Sequence, residues 1–341
     1  MEQTKILITG VTGYIGGSLL ISLLQSANPL IQSASITGLV RGEDKATVLR
    51  QNGIKAELFS GFEDLEGLRK IASGYDRAAD KAEPSKAMIL GLADRQKATG
   101  RQTHFIHESG TSNLGDRPIT GLHIDSALHT DSTPAIFTYL QQREALISYD
   151  QRTADLTVLQ TGLSVSVKTY IIMAPTIFGI GSGHFKKISI QIPIMIRSAL
   201  KRGQAEVIGS GDGCWTHVHI EDLVSLYELL LGKVLKGEEV PNGEEGMYFA
   251  ETGEHSWGEI SRRVGVIGEE LGVLKTKEVV DVTLEDVKGW CGGSEYITEV
   301  AFASNARCLA DRARSIGWVP VKTHEDWESA VREDFEEILK E

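Results

Sequence analysis

The chain is short of cysteine, of basic residues and of long apolar runs. Three cysteines in 341 residues, Cys214, Cys291 and Cys308, are too few and too scattered for a disulfide framework or a cysteine-built zinc site, and they read as buried thiols in a reducing compartment. Lys and Arg number 35 against 47 Asp and Glu, a formal net charge of -12. Nucleic acid and anionic membranes are held by clustered cations, so neither is expected as a partner, and a small molecule is. No apolar run reaches about 18 residues and the N-terminus lacks a signal-peptide pattern, which predicts a soluble, cytoplasmic protein. Two local absences carry more weight. No lysine stands between Lys97 and Lys168, and "GYDRAADKAEPSKAM" from Gly74 contains no Val, Ile, Leu or Thr.

What remains is an ordinary globular composition, 41% hydrophobic, enough for a substantial core. The runs KILIT (5–9), SITGLV (35–40), KAELFS (55–60), THFIHES (103–109) and VKTYIIMAP (167–175) predict strands. Helical patterns lie near 15–26, 43–51, 63–73, 84–99 and 135–149, and this alternation is the rhythm of a parallel α/β sheet. Residues 74–87 offer no buried parallel fourth strand, and "ADLTVLQTGLSVSV" (154–167) adds apolar residues where a loop would suffice. Either the sheet is rearranged around a gap, or the chain is an altered version of a more regular one. Beyond Phe178 the rhythm is lost. "FKKISIQIPIMIRSALKRGQ" predicts an amphipathic helix opened or kinked at Pro193, and "WTHVHIEDLVSLYELLLGKVL" a strand and a helix with Asp222 near its cap. The acidic tail predicts a terminal surface helix.

The first strand runs into "TGVTGYIGG", with Gly10, Gly13, Gly16 and Gly17 ahead of an apolar-periodic helix. Glycine is unfavourable in either element, by up to about 1 kcal/mol against alanine. In a strand-turn-helix unit the first glycine permits the tight turn, the second lets a diphosphate reach the backbone, and the third lets helix pack on strand. Gly10, Gly13 and Gly16 hold those places, with Thr12, Tyr14 and Ile15 supplying the backbone between and after them. At the end of the second strand, where an acidic residue would favour NAD(H), stands Arg41; its forked donors suit a 2′-phosphate, so NADP(H) is the preferred cofactor, with NAD(H) as the alternative.

Four stretches resemble the extended and atypical short-chain dehydrogenase/reductase superfamily, the NAD-dependent epimerase/dehydratase-like proteins and their NmrA-like relatives. They are "TGVTGYIGG", "APTIFGIGSG" with Pro175, "WTHVHIEDL" and "SNARCLADRARSIGWVP". The resemblance implies a Rossmann-type doubly wound parallel sheet over 1–180, with 212–235 returning to it, a smaller substrate lobe over 181–323 and a C-terminal helix over 324–341. It places a pyridine nucleotide in the cleft and allows a homodimer.

That superfamily uses a Tyr-x-x-x-Lys pair with a Ser or Thr after the fifth strand, the tyrosine exchanging a proton with the substrate oxygen. No tyrosine here has Lys four residues on. The nearest match is Tyr139 with Arg143 on one helix face, while Tyr149 has Thr153 at that offset. In "FIHESGTSNLG", Ser109 and Thr111 are the hydroxyl candidates, and Gly110 falls where the catalytic hydroxyl is expected. His217 with His219, and His104 with His107, lack a third ligand, so no metal is expected. Two functions follow: an oxidoreductase acting on a carbonyl or alcohol of a small metabolite, or a catalytically impaired NADP(H) sensor of the NmrA-like kind.

Overall fold

Seven runs, mostly aliphatic, line up as one parallel sheet: β1 (Lys5–Ile8), β2 (Ser35–Val40), β3 (Lys55–Leu58), β4 (Arg77–Ala78), β5 (His104–Gly110), β6 (Lys168–Ala174) and β7 (Met247–Phe249). The computed structural model describes residues 3–78, 82–132 and 135–341. The strand order is β7-β6-β5-β4-β1-β2-β3, so the winding reverses between β1 and β4. In open parallel sheets the crevice beyond the strands' carboxyl ends at such a reversal is where ligands bind. β2 and β6 are buried on both faces, as their unbroken apolar runs require.

The helices are α1 (Tyr14–Gln25), α2 (Glu43–Gln51), α3 (Leu65–Ala72), α4 (Ala82–Thr99), α5 (Ala135–Leu146), α6 (Asp150–Val165), α7 (Ile220–Lys236) and α8 (His324–Ile338). Two of the expectations need correction. The predicted helix 135–149 ends at Leu146, and the surplus apolar stretch 154–167 belongs to a separate helix, α6, which leads directly into β6. α6 buries Leu156, Val158, Leu159 and Gly162, and a methyl on Gly162 would stand 2.3 Å from Thr169 Cγ2 of β6. The other correction concerns the anomaly at 74–87, of which residues 79–81 lie outside the described residues. A strand of two residues, β4, does occupy the centre of the sheet, Arg77 pairing with Ile6 and His104, and Ala78 with Phe105. Its neighbours impose that pairing, since its own side chains have low strand propensity.

The remainder packs against the β5–β7 side. Helix Gln191–Arg202 has Pro193 in its first turn, where the ring is tolerated, so the helix opens there without a kink. Strand Cys214–His219 pairs with Thr176–Phe178 and Gly253–Ser256. Met247–Phe249, inside the stretch expected in the smaller lobe, is the edge strand of the main sheet. Asp222 lies in the first turn of α7, near its cap, as expected; the cap is His219, whose Nδ1 accepts from the Glu221 N–H at 3.1 Å. Asp222 accepts the N–H groups of Val321 (2.8 Å) and Lys322 (3.1 Å), and the Trp318 indole donates to the Asp222 carbonyl at 3.0 Å. Two motifs about a hundred residues apart are thus one hydrogen-bonded corner. Of the cysteines, Cys308 is buried and the other two are partly exposed. Among the described residues no helix is long and apolar enough to cross a membrane.

Candidate active site

Gly10 leaves β1 with φ +66°, a conformation most side chains avoid, and the Gly13 N–H closes the turn on the Gly10 carbonyl at 2.7 Å. A Cβ on Gly16 would stand 2.4 Å from that carbonyl oxygen, so the helix can start this close only with glycine there. α1 begins with Gly13 as its cap, without a capping side chain and without an acidic residue in its first turn. Among the described residues the N–H groups of Tyr14, Ile15 and Gly16 have no acceptor. Bare donors at a helix start fit a diphosphate. Tyr14 contributes its backbone alone: its buried hydroxyl donates to the carbonyls of Gly179 (2.6 Å) and Phe178 (3.1 Å), tying the turn to the chain beyond β6. Pro175 is buried at the end of β6, and Thr12 and Ile15 are half-buried beside the turn.

Arg41 follows β2 and is exposed, its guanidinium 5.4 Å from the Phe62 ring centroid. Among the described residues it makes no ion pair, whereas Glu43, two residues on, is bonded to Arg50. A free, stacked guanidinium at this end of the sheet suits a phosphate better than a hydroxyl.

The carboxyl end of β5 carries the hydroxyls. Ser109 is fully buried and donates to Asp155 Oδ2 at 2.7 Å, which also takes Asn113 Nδ2 at 2.7 Å, while His107 Nε2 lies 3.4 Å from Oδ1. Burial raises the Asp155 carboxyl above its ordinary range. The node fixes the turn at 109–113. Thr111 is buried with its hydroxyl unpartnered, and Gly110 faces Gln151, whose Nε2 would stand 2.8 Å from an added Cβ. One residue further, Ser112 donates to Gln151 Oε1 and accepts from the Tyr149 hydroxyl at 3.1 Å. Tyr149 caps α6, the helix that feeds β6.

Residues 146–242 match the model of the NAD dependent epimerase/dehydratase family. DesIV, a dTDP-glucose 4,6-dehydratase of Streptomyces venezuelae solved with NAD and TYD bound, superposes with a TM-score of 0.65 at 18% identity, covering 98% of this chain and 97% of that one. A UDP-glucuronic acid 4-epimerase of Bacillus cereus, solved with NAD, does so with a TM-score of 0.62 at 13% identity, covering 98% and 100%. The fold is that shared by these solved dehydratase and epimerase structures. In sequence the chain is 28% identical over 339 residues to the oxidase ucsJ of Acremonium sp, covering 93% of each. It is 24% identical over 319 residues to an uncharacterized protein of Schizosaccharomyces pombe, covering 93% of this chain and 95% of that one.

Within this fold the sequence-predicted residues separate into two groups. The Tyr139 hydroxyl donates to Asp125 Oδ2 at 2.6 Å and accepts from Arg143 Nη1 at 2.8 Å. Arg143 is buried and also donates to the carbonyls of Leu114 (3.1 Å) and Gly115 (2.8 Å). This pair clamps the long connection between β5 and α5, and both partners are committed to it. Tyr139 is on α5 and Ser109 is turned into the core, so the arrangement does not bring them together as a reacting pair. Ser112 was missed, and Tyr149 was set aside for its missing lysine. The family match begins just ahead of Tyr149.

The position four residues after Tyr149 holds Thr153, whose hydroxyl bonds Glu144. The cation beside Tyr149 is Arg152, its guanidinium 5.7 Å from the ring centroid and bonded to Glu144 and to the carbonyls of Asn113 and Ile147. Burial dominates over that cation and raises the Tyr149 phenol above its ordinary value. The histidines serve packing: His217 stacks on Trp327 at 4.0 Å and shares a contact with His255 (Nδ1 to Nδ1, 3.2 Å), and burial lowers His217 to about 3. Among the described residues no group of three or more His, Cys, Asp or Glu could hold a metal ion.

Proposed function

We propose that this chain is a pyridine-nucleotide-dependent oxidoreductase of the epimerase/dehydratase-like type, NADP(H) being preferred, that acts on a carbonyl or alcohol of a small metabolite. The observation that carries the reading is the Tyr149–Ser112 hydrogen bond at the carboxyl end of β5, on the edge of the sheet where the glycine turn opens. When bound, the dinucleotide supplies the hydride donor or acceptor. The free N–H groups of Tyr14, Ile15 and Gly16 take its diphosphate, and Arg41 takes the 2′-phosphate. Tyr149 then turns its donor from Ser112 to the substrate oxygen, and Ser112 turns its donor from Gln151 to the same oxygen. Ser112 polarises the carbonyl and Tyr149 gives its proton to the oxygen as negative charge develops. With burial raising the phenol and no cation at Thr153, Tyr149 stays protonated at neutral pH. That state suits reduction, where the tyrosine is an acid, better than oxidation, where it must first be a base.

The vacated lysine position favours a second reading, a nucleotide-binding sensor without turnover. NADPH fluorescence on titration, followed by NADPH oxidation with a panel of aldehydes and ketones, separates the two. For the enzyme, Tyr149→Phe is expected to leave NADPH affinity intact and to lower turnover by about 10²- to 10⁴-fold, the usual worth of a positioned acid. Binding without turnover in the parent protein would leave the sensor.

A further inference from the structure

The charges around the assigned site are unevenly distributed, and this bears on the substrate. At the glycine-turn end cations are available. Arg41 is unpaired among the described residues, and Lys186 and Lys187 are exposed on the loop whose Gly183 Cα would stand 3.2 Å from a Cβ on Gly17 of α1. Around Tyr149 each guanidinium among the described residues already has an anionic or carbonyl partner. Arg117 Nε bonds the fully buried Glu299 at 2.9 Å, and Glu299 also accepts the Thr120 N–H at 2.8 Å. Arg143 and Arg152 are buried on the backbone carbonyls and side chains described above. A phosphate taking Arg143 or Arg152 would have to draw it from buried carbonyls, and one approaching Arg117 would meet a cation already neutralised by the buried Glu299, both unfavourable exchanges.

What this end offers instead is neutral and aromatic. The Tyr149 ring meets the Tyr296 ring edge-on, with centroids 6.0 Å apart and planes at 85°. Arg117 lies 4.8 Å from the Tyr296 ring centroid, its charge balanced by Glu299. Burial raises the half-buried Cys291 thiol, which neighbours Tyr149, so it is uncharged at neutral pH. Edge-to-face partners and a neutral surround favour a planar ring over a hydrated, doubly charged diphosphate.

We infer that the substrate taken at Ser112 and Tyr149 is an uncharged aromatic carbonyl compound, not a nucleoside-diphosphate sugar, and that Tyr296 is the residue that selects it. The inference rests on the Ser112–Tyr149 reading above. It also divides the ligands by charge, the phosphates lying at the Arg41 end and the neutral reactant at the Tyr296 end.

The test is calorimetric titration of the NADPH-loaded protein with 2-naphthaldehyde and, separately, with UDP and UDP-glucose, on the parent, Tyr296→Ala and Tyr296→Phe. The expected result is binding of 2-naphthaldehyde, weakened about tenfold or more by Tyr296→Ala and retained by Tyr296→Phe, with no heat from either nucleotide. Retention in the Phe variant shows that the site still folds when the hydroxyl is gone. Tighter binding of UDP or UDP-glucose than of 2-naphthaldehyde, no binding of 2-naphthaldehyde, or an unchanged affinity in Tyr296→Ala each overturns the inference. Turnover is read separately: 2-naphthaldehyde that binds but is never reduced by NADPH counts against the oxidoreductase reading and leaves the ligand class standing.

Discussion

Replacing Gly16 by alanine is the sharpest perturbation of the glycine turn. The new methyl would stand 2.4 Å from Gly10 O and 2.7 Å from Gly10 C, both backbone atoms that no rotamer change can move. Relief to an ordinary contact near 3.4 Å needs a shift of about 1 Å between the turn and the first turn of α1. An N–H···O bond of about 2.9 Å lengthened by that much is no longer a hydrogen bond. Each such bond to a charged acceptor is worth about 1.5–3 kcal/mol, so losing two lowers dinucleotide affinity by about 3–6 kcal/mol, or roughly 10²- to 10⁴-fold. Alanine gains back about 1 kcal/mol of helix propensity, so the fold survives better than the affinity does. NADPH fluorescence titration measures the loss, with far-ultraviolet circular dichroism to confirm folding. Gly53→Ala is the control, since Gly53 has φ +75° and open space around it; it should cost about 1 kcal/mol of stability and leave affinity alone. A folded Gly16→Ala protein that binds NADPH within about threefold of the parent would refute the argument that these amides hold a diphosphate.

The remaining predictions concern cofactor choice and pH. Arg41→Ala should weaken NADPH by about tenfold or more and NADH little, as expected for loss of a charge-assisted pair to a 2′-phosphate; equal losses in parallel titrations would remove Arg41 from the site. Asp334 on α8 is 1% exposed, both its oxygens lack partners, and burial raises it to about 8. Its folded value exceeds the unfolded one near 4, so below about pH 4 both states hold the proton and nothing is lost. Between about pH 4 and pH 8 only the unfolded state gives the proton up, and stability falls by as much as about 1.4 kcal/mol per pH unit. Asp334→Asn should therefore match the parent near pH 4 and exceed it by several kcal/mol, on the order of 5 at most, near pH 8. Urea midpoints at the two pH values measure this, and identical pH slopes for parent and variant would show that Asp334 is not held neutral in the fold.

The glycine turn was legible because its cause is local. A tight turn and a helix start that leave room for no Cβ need Gly10 and Gly16 at fixed offsets, and the flanking KILIT and YIGGSLLISLL patterns are visible in any window of that length. Strands β1, β2, β3, β5 and β6 were likewise legible as short runs, while their order in the sheet was not. α6 was illegible for the opposite reason. Its Leu156, Val158, Leu159 and Gly162 are buried between the sheet and α4, so it has no clean polar face, and Thr153, Thr157, Val158 and Thr161 give it the β-branched content of a strand. Without that helix, Tyr149 stands in the sequence at the end of the 135–149 helical pattern and not at the start of the element that feeds β6.

Sequence alone thus determined the glycine turn, the α/β class and the family resemblance, each of which depends on residues adjacent in the chain. Tertiary structure decided which tyrosine meets which hydroxyl. Ser112, Tyr149 and Tyr296 come from β5's end, α6's start and the smaller lobe, and Tyr139, Arg143 and Ser109 are spent on partners elsewhere. A two-residue β4 holds the sheet's centre because Ile6, His104 and Phe105 offer it backbone partners. Such contacts depend on distances across the fold, which the spacing of residues along the chain does not fix.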